Sequence, residues 1–359
     1  MYMLTKFFTP ASVFQSKPTT RVGILRTDHI GDLVYTLPLA HVLKSHQIET
    51  VLFCPPYTKE VALACSALNK VMDISELSKA SGSENKIDYL IVPLVKDLIT
   101  YQQTIKTLKQ QGVSIISRAQ KLLRSYPLSD HLLWISNKQK FHEAQINLSL
   151  LAPIIGHIND ALPLHKIETA LTPDGSQIPH LLETATWKES QFNLLMHLGS
   201  HGSGKEWPLN RFHQVIEKLL TDDPKIHIWL TGSEKEERHI KQALTDYLNH
   251  PQVHFTFGQF SLVQLMHVIA RADGLVSNGT GPLHLAGALG TPCLGLFPAT
   301  WRIGASRWRP LSNYANTLSA TYCPQKCSST CQCIQQITVD QVVEMIQRRL
   351  IHLSQKENH

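Results

Sequence analysis

Three short stretches of this chain combine residue types that handle anions and protons. The first is G-S-H-G-S-G-K, Gly199 to Lys205, at the end of an apolar run. It fits seven positions of the phosphate-loop pattern G-x-x-x-x-G-K-[ST], but Glu206 stands where that loop needs Ser or Thr for Mg²⁺. Pro208 disfavours helical backbone at Trp207 and suits a helix's first turn. Lys205 is therefore expected in an open loop ahead of a helix, and a triphosphatase loop is set aside. A flexible loop is left, with Ser203 and Gly204 beside one lysine. It reads either as a diphosphate contact or as solvated surface.

The second stretch is N-G-T-G-P, Asn278 to Pro282, between a strand pattern and a helix pattern. Thr280 suits the N-cap and Pro282 the first helical position. The N–H groups of that first turn, from Gly281 on, form an anion site with the helix dipole, and His284 adds a donor. A dinucleotide fingerprint would need glycine at 284. A tight turn with no ligand explains the same letters. The third stretch is R-T-D-H-I-G-D, Arg26 to Asp32, where Asp32 opens a helix. The helix terminus favours its charged form, which serves either as dipole compensation or as a general base. Arg26 and His29 stand nearby to hold anionic groups of a substrate.

The elements that position these stretches follow one grammar, used twice. Strands read at 21–26, 49–56, 86–94 and 113–118 alternate with helical runs at 33–46, 58–69 and 97–112. Composition turns to linker type from about 162 to 188, with Pro163, Pro173, Asp174, Gly175 and Pro179. The grammar then restarts, with strands at 192–199, 225–232, 253–258, 273–279 and 291–298. Helices read at 210–223, 233–250, 261–272 and 282–290, and a last helix opens on a Thr338/Gln341 capping box. This alternation predicts α/β units, each a parallel sheet with helices on both faces. Ligands are expected at the carboxyl ends of the strands. The expected organisation is an arm at 1–20, one domain at 21–185 and a second at 186–359 with the terminal helix.

Composition fits this picture. The 359 residues are 43% hydrophobic and 17% charged, which excludes a disordered chain. No apolar run reaches the roughly 18–20 residues that span a bilayer. Lys6 interrupts the first apolar stretch, so a signal peptide is not expected and a cytoplasmic protein is. Net charge is +6, which suits an anionic partner or plain surface scatter. No basic run or stacking-aromatic motif points to nucleic acid. Among seven cysteines, Cys54, Cys65 and Cys293 read as buried thiols. Cys323, Cys327, Cys331 and Cys333 crowd one segment. Four thiols within eleven residues could bind zinc, but their C-x3-C-x3-C-x-C spacing is not a standard zinc pattern, so reduced structural thiols are the first expectation there.

Taken together, three segments resemble glycosyltransferase family 9, whose best-known members are lipopolysaccharide-core heptosyltransferases. They are "ILRTDHIGDLVYTLP", "HLGSHGSGKEWPLNRF" and "VSNGTGPLHLAGALGTPCLGLF". The resemblance runs in order over about 21–350. It implies a GT-B fold, two Rossmann-like doubly wound domains facing across a cleft. The first domain would bind the acceptor and the second the nucleotide sugar, with inversion and with neither metal nor cofactor. Asp32 matches the family's base and Lys205 the lysine that meets the donor diphosphate. Glu234 matches a nucleoside contact, and Thr280, Gly281 and His284 match the diphosphate turn. Arg118, Lys121 and Arg124, and separately Arg302, Arg307 and Arg309, stand as acceptor-phosphate contacts or solvated charge. The implied partners are an ADP-sugar, heptose first, and an anionic glycolipid at the inner face of the cytoplasmic membrane, with no oligomer indicated. Many heptosyl-transferring members carry Asp where Gly279 stands. That departure keeps open another nucleoside-diphosphate hexose donor, or a non-catalytic nucleotide-sugar-binding protein.

Overall fold

Apolar runs of four to six residues give strands buried on both faces, which is how parallel sheets covered by helices read. A computed structural model describes residues 5–6, 20–82, 84–93, 98–118, 129–135, 141–156, 163–183, 187–188, 190–200, 202, 204–323, 327 and 331–351. The chain divides into two compact units, Met1–Thr172 and Pro173–His359. At the junction the Thr172 N–H donates to the Ala64 carbonyl of the first unit, at 2.9 Å. Two residues later the Asp174 carbonyl accepts from His267 of the second, at 2.8 Å.

The first unit holds β1 (Thr5–Lys6), β2 (Arg21–Leu25), β3 (Glu49–Cys54), β4 (Lys70–Asp73), β5 (Tyr89–Val92), β6 (Ser114–Arg118) and β7 (His131–Ile135). Their order is β1-β7-β6-β5-β2-β3-β4, parallel except for the antiparallel β1–β7 pair. Helices α1 (Ile30–Val34), α2 (Leu37–Ser45), α3 (Pro56–Leu63) and α4 (Leu98–Gln110) lie between its strands, and α5 (Glu143–Leu148) and α6 (Ala152–Ile155) follow β7. The helical run expected over 33–46 is two pieces, with Pro38 in the first turn of α2.

The second unit holds β8 (Phe192–His197), β9 (Ile226–Thr231), β10 (Val253–Phe255), β11 (Gly274–Asn278), β12 (Cys293–Phe297) and β13 (Ala315–Ser319), in the order β10-β9-β8-β11-β12-β13. Every pairing is parallel. Its helices are α7 (Leu209–Asp222), α8 (Glu234–Ala243), α9 (Leu262–Arg271), α10 (Gly281–Leu289), α11 (Ala305–Trp308) and α12 (Val339–Met345). Every residue of β8, β11 and β12 is buried. Trp207, Phe212 and Ile337 join their core. Gly290 closes α10 in left-handed backbone, φ +79°, a conformation that suits glycine. The capping box Thr338/Gln341 opens α12 as the sequence indicates.

Candidate active site

In the second sheet the chain winds outward from β8 to β10, then returns to place β11 on the other side of β8. The switch point therefore lies between β8 and β11, where doubly wound sheets take their ligands. Two segments leave the sheet there. After β8 comes the Lys205 loop, and α7 begins only at Leu209 with Pro208 as its N-cap. Lys205 thus stands in open loop, half-buried, as Pro208 dictates. After β11 comes the Asn278–Pro282 turn. Thr280 is the N-cap, so Pro282 is the second helical residue rather than the first.

One side chain ties the two segments together. Asn278 is fully buried. Its Nδ2 donates to the Leu198 carbonyl at 2.7 Å, and its Oδ1 accepts from the Trp207 N–H at 2.9 Å. Both ends of the Lys205 loop are thereby pinned to the turn after β11. The contact is close: a Cβ placed on Gly204 would lie 3.4 Å from the Gly279 carbonyl. Within the loop, the Ser200 hydroxyl donates to Glu206 at 2.8 Å and accepts from the Gly202 N–H at 3.1 Å. Ser203 lies outside the described residues.

The Thr280 hydroxyl bonds Ser277 at 2.8 Å and makes no cap bond to the first turn of α10. His284 is buried in that helix, with its ring centroid 6.3 Å from that of Trp308. Glu234, the first residue of α8, is exposed and its stem lies against Gly258. Gly279 has a structural cause. A Cβ there would sit 2.6 Å from Cε1 of Phe297, whose ring is buried at the end of β12. Nearby, Arg307 is buried between Trp301 and Trp308, at 4.6 and 4.7 Å from their rings; Arg302 and Arg309 are exposed.

In the first unit, Asp32 lies in the first turn of α1 and is 21% exposed on its side chain. Arg26, just past β2, is buried, with Nη2 2.7 Å from Asp32 and 3.6 Å from Asp28. Its guanidinium is therefore directed at carboxylates of its own loop rather than at the substrate anion that the sequence suggests. His29 is exposed beside them. No motif in the sequence marks Tyr57. Its hydroxyl donates to the Asp28 carbonyl at 2.6 Å. Burial, then the charges of Asp28 and Asp32, hold its pKa above the ordinary phenol value. The available signal was position, since the P-P-Y turn leaves the carboxyl end of β3, the neighbour of β2. Arg118, at the end of β6, is buried and pairs with the fully buried Glu143 at 2.9 Å. Lys121 and Arg124 lie outside the described residues.

The cysteines divide as read, with Cys54, Cys65 and Cys293 buried and free. Despite their non-standard spacing, the Sγ atoms of Cys323, Cys327, Cys331 and Cys333 all lie within 4.8 Å of one another.

Paired doubly wound units with anion-type turns at the strand ends define the GT-B class of fold. Residues 138–337 match the model of glycosyltransferase family 9 (heptosyltransferase), and the chain belongs to that family. It is a glycosyltransferase, as the three motifs together indicate. The chain is 20% identical to a Haemophilus influenzae protein named "Putative glycosyltransferase", over 94% of this chain and 99% of that one. Among solved structures it is similar to the E. coli ADP-heptose lipopolysaccharide heptosyltransferase II, with TM-score 0.72 and 17% identity over 93% of this chain and 100% of that one. It is also similar to the E. coli heptosyltransferase WaaC with ADP, with TM-score 0.65 and 17% identity over 92% and 100%.

Proposed function

We propose that this glycosyltransferase moves a heptose from ADP-heptose to the inner core of lipopolysaccharide, or to a similar anionic glycolipid at the inner face of the cytoplasmic membrane. Transfer is inverting and needs no metal ion at the reacting centre. The observation that carries the reading is the clamp through Asn278, which sets the Lys205 loop beside the first turn of α10. A lysine and a helix N-terminus on one diphosphate stabilise the charge that grows as it departs. WaaC with ADP supports the adenine nucleotide. Glu234 contacts the nucleoside, and Ser203, Gly204, Thr280, Gly281 and His284 complete the diphosphate contacts.

The first unit handles the acceptor. Its hydroxyl oxygen attacks the anomeric carbon from the face opposite the diphosphate, the bond to the diphosphate breaks, and the hydroxyl proton passes to Asp32. Arg26 positions that carboxylate. His29 meets an acceptor anion, with Lys121 and Arg124 as further contacts; Arg118, which the sequence offers as another, is instead paired with the fully buried Glu143. No helix among the described residues is long and apolar enough to cross a membrane.

A second reading, a different hexose donor on the same scaffold, is favoured by Gly279, since Phe297 fills the space that an aspartate would need. A panel of ADP-, UDP- and GDP-sugars, read by the mass added to acceptor, separates the two. Heptose transfer from the ADP-sugar alone is expected; transfer from a UDP- or GDP-hexose instead would replace the first reading with the second. Asp32→Ala should lower kcat by about 10²–10⁴-fold with donor binding kept. Unchanged turnover would remove Asp32 from the mechanism.

A further inference from the structure

Four thiols converge beyond the ends of β12 and β13, apart from the residues proposed above to touch donor or acceptor. Cys323 follows β13, Cys327 and Cys331 lie further along the loop, and Cys333 opens a short 3-10 turn to Gln336. Their Sγ atoms stand 3.2 Å apart for Cys323 and Cys331, 3.5 Å for Cys323 and Cys327, 3.5 Å for Cys327 and Cys333, and 4.0 Å for Cys327 and Cys331. A tetrahedral ion with metal–sulfur bonds of about 2.3 Å spaces its sulfurs by about 3.8 Å. The four thiols already approximate that cage. A multi-iron cluster would hold them farther apart.

The surroundings suit thiolates. Ala299 and Ala320 pack around the group, and Cys331 and Cys333 are buried. Main-chain N–H groups point at sulfur: Cys327 N to Cys323 at 3.0 Å, Cys333 N to Cys331 at 3.4 Å, and the Ala299 backbone to Cys333. Such donors orient metal-bound sulfur and spread its charge. Cys327 also adopts left-handed backbone, φ +55°, which among the described non-glycine residues only Gln47 shares. That conformation is costly for a side-chain-bearing residue and persists where the surroundings demand it. It turns the chain so that a cramped spacing still gathers four sulfurs.

We propose that Cys323, Cys327, Cys331 and Cys333 bind one tetrahedral metal ion, zinc or iron, as a closed structural site. Each thiol gives up its proton on binding. Four protein ligands leave no open position, so the ion takes no part in glycosyl transfer. Its role is mechanical. The segment it anchors runs on to Ile337, whose carbonyl accepts from Trp207 Nε1 at 3.0 Å and from Arg211 at 2.6 Å. Arg211 also bonds the Gln335 carbonyl. Trp207 ends the Lys205 loop, so the ion holds the floor to which that loop is fastened.

Elemental analysis of the purified full-length chain tests this. The expected result is about one zinc or iron per chain, with visible colour marking iron. Cys331→Ser and Cys333→Ser should lose the ion. Wild-type protein produced in cobalt medium removes any dependence on how those variants fold, since it should show the intense thiolate-to-cobalt absorption of a four-sulfur site. Stripping the ion should also speed hydrogen exchange at the Trp207 indole N–H, which donates to the Ile337 carbonyl. Metal-free protein with four freely reacting thiols, a Cys323–Cys331 disulfide, or cobalt-grown protein without that absorption would each overturn the proposal.

Discussion

Gly279 and Phe297 decide together what the turn after β11 can contain. With the ring against the glycine, Gly279→Asp must push a carboxylate into buried aromatic carbon. Overpacking of this kind costs about 1–3 kcal/mol, and the desolvated charge adds to it. Thermal denaturation should show a lower melting temperature for G279D and partial recovery for G279D/F297A. Equal melting of the two would mean that the ring is not the obstacle. The glycine was legible in the sequence as a departure. Its cause was not, because Phe297 lies eighteen positions on and only the pairing of β11 with β12 brings them together. Arg26 teaches the same lesson. Beside a candidate base, an arginine reads as a substrate contact. Only its burial, at 1% exposure against 21% for Asp32, shows that the cation is the support and the carboxylate the exposed group.

The loop after β8 and the turn after β11 act as one element because of a single amide. Asn278→Ala removes a donor and an acceptor at a fully buried position, leaving the Trp207 N–H and the Leu198 carbonyl without this partner. The cost should be about 1–3 kcal/mol for each group left unsatisfied. Steady-state kinetics should show a higher donor KM together with a lower kcat, and Asn278→Asp, which keeps only the acceptor, should fall between. A KM unchanged in N278A would separate the loop from donor binding. Some of this arrangement could be read in advance. Pro208 placed Lys205 outside α7, and the Thr338/Gln341 pair marked the start of α12. Strands β4 and β13 could not, because they are short edge strands with mixed exposure, and neither presents an apolar run. The helix expected over 58–69 ends at Leu63, since Ala64 to Leu68 turn back through local bonds instead.

Each unit carries its own sheet and its own buried cluster, and every proposed donor contact lies in the second. ADP should therefore raise the melting of the second unit alone. At a hundred times its Kd the gain is about 2.7 kcal/mol, visible in calorimetry as movement of one transition while the other stays. Movement of both by the same amount would show that they unfold together. The Trp207 indole is fastened to a carbonyl 130 residues further along. At about 5–20 residues per second that stretch takes on the order of ten seconds to emerge. For that interval the first unit can be folded while the lysine loop still lacks its fastening, so the donor grip proposed for that loop arrives among the last properties the nascent protein acquires.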